Sequence, residues 1–112
     1  MKKAIYLLIG GVLASAPLIA TSADSTGTVT ATAAETKSAA VTTGGMITNA
    51  FTVQLSKGVS AGWTFSDATG AVQTKHASSK HGYGGSTQGG SVNQCSSDMT
   101  AVAAPTASSS GC

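Results

Sequence analysis

The sequence predicts an all-β protein: a small antiparallel sheet or sandwich with a central hairpin, preceded by a cleaved signal peptide. Three observations predict it. Apolar and polar residues alternate with period two over several short segments, glycine-containing turns separate those segments, and a short apolar run sits at the N-terminus behind two lysines.

The N-terminal run comes first. Lys2 and Lys3 precede an apolar stretch from Ala4 to about Ala14, Pro17 breaks it, and the small residues Ala20, Thr21, Ser22 and Ala23 follow. That is the order of a secretory signal, and Gly10-Gly11 and Pro17 interrupt a run already short for a span of about twenty residues. Cleavage after Ala23 uses Thr21 and Ala23 as the required small residues, and cleavage after Ser22 uses Ala20 and Ser22. A retained anchor is one alternative; a double-glycine leader at Gly10-Gly11 is another, set against by the apolar residues before it. No cysteine directly follows the run to carry a lipid. The organisation expected is a signal over 1–23, a β-domain over 24–106, and an Ala/Ser/Gly-rich tail over 107–112 ending in Cys112. The product is exported to the periplasm, cell surface or medium, with no stable membrane span after cleavage.

From Asp24 to Ala34 the residues Val29, Ala31 and Ala33 alternate with threonines, which reads as an edge strand free to pair with a neighbour. Glu35 to Ser38 is a polar connection, Ala39 to Thr43 a further short strand, and Gly44-Gly45 a turn, together a second hairpin. Between Ile47 and Phe65 lies the richest apolar segment after the N-terminus. With Ser56-Lys57-Gly58 as a three-residue loop, Leu55 pairs with Val59, Val53 with Ala61 and Phe51 with Trp63, all on one face. Such a hairpin cannot stand alone and needs further strands to cover it. A turn at Asp67 to Gly70 then brings Val72 opposite Phe65, Thr74 opposite Trp63 and His76 opposite Ala61, with a third strand from Ala71 to about Ala77. Residues 78–91 shift to glycine and serine and read as a loop or flexible linker. Val92 begins a short strand toward Cys95, and Met99 to Ala104 is a strand or a single helical turn before Pro105.

Charge excludes one class of partner. The chain has no arginine, and once the signal is removed Lys37, Lys57, Lys75 and Lys80 balance Asp24, Glu35, Asp67 and Asp98. Four scattered lysines make no stripe along a phosphate backbone, so nucleic-acid binding is not expected. So little charge suits a chain that is glycosylated, immobilised or assembled, or a plain Ser/Thr-rich domain. Neither Asn49 nor Asn93 begins an N-glycosylation sequon. Cys95 and Cys112 suit one disulfide in an exported protein, with cross-linking of neighbouring subunits as the alternative.

Candidate sites are few. His76 and His81 are weak metal candidates, since two histidines without a CxxC partner set define no site, and no cofactor is expected. The Gly82 to Gly90 run has no Gly-Lys-Ser/Thr after it and cradles no phosphate. Neither Ser86 nor Ser91 has the glycine two places on that a hydrolase elbow needs, so catalysis is not expected. Trp63 is read as core, or if exposed as a ring that stacks on sugars; Tyr83, within the glycine-rich run, is the better contact residue. The role expected is a structural subunit of a surface or extracellular assembly, fimbria-like or matrix-forming, joined through strand edges, with Val29, Ala31 and Ala33 as the assembling strand. The alternatives are a secreted carbohydrate- or surface-binding module using Trp63 or Tyr83, and a small antibacterial protein, for which a cationic amphipathic segment is missing.

Overall fold

The computed structural model describes residues 23–112; the signal-peptide reading over 1–23 lies outside the described residues but for Ala23. The described chain is all-β. Its strands are β1 (Ser25–Val29), β2 (Ser38–Val41), β3 (Phe51–Gln54), β4 (Val59–Phe65), β5 (Gly70–His76), β6 (Gly82–Ser86) and β7 (Asn93–Gln94). They form a five-stranded sheet in the order β1-β4-β5-β6-β7 and a two-stranded sheet of β2 and β3. All pairings are antiparallel.

The central hairpin expected between β3 and β4 does not form. Phe51 pairs with Val41 and Val53 with Ala39, while Trp63 pairs with Gly27 on one side and Val72 on the other. The reason lies in the connection. Leu55 N–H donates to Lys37 C=O at 2.9 Å and Gly58 N–H to Glu35 C=O at 2.7 Å, while Gly58 C=O accepts from Ala77 N–H at 2.8 Å. Residues 55–58 are therefore a bend through which one strand passes from the small sheet into the large one, and Gly58 takes it at a φ of 77°. Alternation assigns faces correctly here; it does not choose the partner, and β4 gains a ladder on both sides in place of one short hairpin.

The expected register of β4 on β5 is also displaced, by two residues. Val72 faces Trp63, Thr74 faces Ala61 and His76 faces Val59. The turn is Ser66 to Thr69, closed by Ser66 N–H to Thr69 C=O at 2.8 Å and Thr69 N–H to Ser66 Oγ at 3.1 Å, so Gly70 is already the first strand residue opposite Phe65. A slip of two keeps every side chain on its face. The second hairpin expected around a tight Gly44-Gly45 turn is reduced to the isolated bridge between Gly44 and Ile47; β2 pairs instead with β3, across a connection over 42–50 in which Gly44 and Gly45 take positive φ.

One face of the large sheet packs on the small sheet. Ala39 and Val41 of β2 meet Trp63 of β4, and Val29, Ile47, Leu55, Phe65 and Val72 surround them. The indole fits because its cross-strand neighbour is Gly27, where a Cβ would stand 2.6 Å from Trp63 Cζ2. The opposite face carries the C-terminal segment, held by the Cys95–Cys112 disulfide. Residues 78–91 are a correction as well: β6 lies within them, paired with β5 at five positions and with β7 at two. Its glycines serve close approach. A Cβ at Gly82 would strike Met99 Sδ and one at Gly84 would strike Gly111 C=O. Met99 to Ala104 is neither strand nor helical turn.

Candidate functional site

The two sheets are unequal, and the site follows from that inequality. Gly58 bonds to the β2 side through its N–H and to the β5 side through its C=O. Along the bent β3–β4 strand, the side that carries β2 is thus the side that carries β1, and the free side of β3 is the side on which β5 and β6 lie. Leu55 N–H points to β2, as does the backbone of Val53 and Phe51 by alternation, so the N–H and C=O groups of Thr52 and Gln54 face that free edge.

On that side of the large sheet, the apolar face of β5 and β6 is uncovered. An open groove of about 310 Å³ runs over Phe65, Val72, Thr74, Tyr83, Gly85 and Val92, and no charged side chain lines it. Tyr83 is 48% exposed and Val92 stands at its rim. Phe51 and Val53, which share the face of Ala39 and Val41, are 46% and 42% exposed. An unpaired strand edge and an unfilled apolar groove can together take up one extended segment: main-chain bonds along Thr52 and Gln54, alternate side chains into the groove.

The sequence-derived residues fall as follows. Trp63 is 5% exposed, and its indole N–H, buried, has no hydrogen-bond partner among the described residues. Val29 lies in β1, opposite Ala61; Ala31 is buried, its N–H bonded to Ser60 Oγ at 2.9 Å; Ala33 is exposed beyond the strand. β1 is an edge strand of the large sheet, with β4 as its one strand partner there. His76 Nδ1 accepts from Ser78 N–H, and His81 Nδ1 bonds Gln94 Nε2 at 2.9 Å, so the two rings are engaged at separate turns. No three His, Cys, Asp or Glu side chains converge on a point among the described residues. Glu35 accepts from Thr32 N–H at 3.0 Å and lies 3.6 Å from Lys37 Nζ; the backbone bond and then the lysine hold its carboxyl below the usual carboxylate range.

Alternation reveals Phe51 and Val53 as apolar but assigns them to a buried pair, so the free β3 edge escapes sequence reading. Gln73 escapes it too, since nothing in its surroundings marks it as the anchor of the C-terminal segment. Comparison of the chain with protein-family models, curated proteins and solved structures found no match.

Proposed function

We propose that the protein is an exported structural subunit of a surface or extracellular assembly, fimbria-like or matrix-forming, whose copies join by pairing strand edges. The observation that carries this reading is the β3 edge, unpaired among the described residues, on the side toward which β5 and β6 leave an apolar groove open. Single-domain proteins normally cover or blunt such an edge, because it templates pairing with another chain. The balance of lysines and acids in residues 24–112 adds to the case, as little repulsion separates copies. β1, which carries Val29, is likewise paired on one side only, by β4, while the N–H of Ala31 beyond it is taken up by Ser60.

Thr52→Pro removes one outward N–H without touching the β2 ladder, and Val53→Lys puts a charge on the inward face. Wild-type protein is expected to sediment as concentration-dependent oligomers and to form regular particles or fibres by negative-stain microscopy. Both variants are expected to stay monomeric with an unchanged far-UV spectrum. A wild type that is monomeric at all concentrations, or variants that assemble as it does, overturns the reading. The former result favours the second one, a carbohydrate- or surface-binding module, for which the exposed Tyr83 ring in a groove that Thr74 and Thr87 also line is the supporting observation.

A further inference from the structure

On the face of the large sheet turned away from β2 and β3, the register sets Gly62, Gln73 and Gly84 in one row across β4, β5 and β6. The C-terminal strap, Ala103 to Cys112, is seated on this row at its two ends, Ala103 over Gly62 and Gly111 over Gly84. Gln73 is 8% exposed, and its one amide ties both ends of that strap: Oε1 accepts from Ala103 N–H at 3.0 Å, and Nε2 donates to Gly111 C=O at 3.4 Å. The flanking glycines supply the depth. A Cβ on Gly62 would collide with Ala103 C=O, and one on Gly84 with Gly111 C=O. Gly111, at a φ of 100°, itself sits on the backbone of Gly85 and Val72. The strap joins no β-ladder. It is held through the main chain at its two ends, with a turn closed by Ser109 N–H to Thr106 C=O at 2.9 Å between them.

We propose that this row is a binding site for the C-terminal strap of a second copy as well as for the chain's own. The proposal deepens the assembly reading and rests on it. Residues 95–102 join β7 to the strap, and so short a connection sets an effective concentration in the millimolar range. Copies held together in an assembly reach a comparable local concentration, and every contact made within the chain is available between chains, as in other exchanges of an identical element. A strap seated from a second copy brings its Cys112 to the host's Cys95. Closing that bond joins two thiols as one disulfide, with the two electrons and two protons passing to a disulfide oxidant that leaves as two thiols.

The test uses two full-length chains with different tags. Cys95→Ser supplies a strap with its thiol, and Cys112→Ser supplies a host with the complementary thiol. They are mixed at about millimolar concentration, where exchange competes, and oxidised glutathione is the oxidant. The expected result is a covalent heterodimer whose yield falls about tenfold when the host also carries Gln73→Ala, since the strap loses both amide bonds. Gly84→Val in the host, folded by its tryptophan fluorescence, is expected to have the same effect. No heterodimer, or a yield that neither substitution changes, overturns the proposal. Strap exchange is read in the cross-link and edge pairing in the Thr52→Pro particles, so fibres without a cross-link defeat the exchange alone. A cross-link from chains that never form larger particles defeats the assembly reading alone.

Discussion

At the scale of single residues, the core depends on an absence. Trp63 is the largest side chain of the buried cluster, and it is accommodated because residue 27 on the neighbouring strand has no side chain. Gly27→Ala places a methyl group into the indole ring. The expected cost is about 1–3 kcal/mol, the usual range for an overpacked core, read as a lower urea midpoint by Trp63 fluorescence. An unchanged midpoint would show that the ring has room to move. Glu35 carries the pH-dependent contact. Its carboxyl is held low by Thr32 N–H first and Lys37 second, so the ionised form is favoured in the folded state. The contribution to stability is therefore complete above the usual carboxylate pKa, about 4.3, and is lost as pH falls through the lower folded value. A carboxyl NMR titration is expected to place Glu35 below that value. Lys37→Ala moves it partway back, because the backbone bond remains.

At the scale of elements, alternation located strands well and partners poorly. β4 and β5 stand within a residue of where period two puts them, yet the hairpin inferred from Phe51, Val53 and Leu55 against Val59, Ala61 and Trp63 is replaced by a bend. A three-residue loop and a corner between sheets have the same local chemistry, including glycine at positive φ, and only the competition for Trp63 by Gly27 and Val72 separates them. β6 was hidden for a different reason. Glycine lowers strand propensity, and the compensation that keeps Gly82–Ser86 in the sheet comes from Met99 and Gly111, remote in sequence. Hydrogen exchange is expected to separate the two parts of this stretch. The β6 amides bonded to β5 exchange slowly, whereas those of 88–91 exchange at rates near an unstructured chain. Fast exchange throughout would restore the flexible-linker reading.

At the scale of the whole molecule, the chain is a layered arrangement with a thin centre. The small sheet covers part of one face of the large sheet, the strap covers part of the other, and a disulfide with a sequence separation of 17 fastens the strap. Cys112→Ser is expected to lower stability by about 3 kcal/mol, the value for a loop of that length, in urea unfolding compared with the oxidised parent. A loss near zero would mean that Gln73 and the glycine row hold the strap without covalent help. The uncovered remainder of the first face is the groove over β5 and β6, and it is on this imbalance between two strands and five that the assembly proposal stands.

The sequence by itself determined the all-β class, the inward-facing set on β4 and β5, and the pair of cysteines that meet. These follow from the two-residue period of a strand and from there being two cysteines to join. Tertiary structure alone decided which strands are neighbours, which edge is left free, and why glycines occupy β6. Those outcomes depend on contacts between residues tens of positions apart, such as Gly27 with Trp63, Gly62 with Ala103 and Gln73 with Gly111, which no local pattern records.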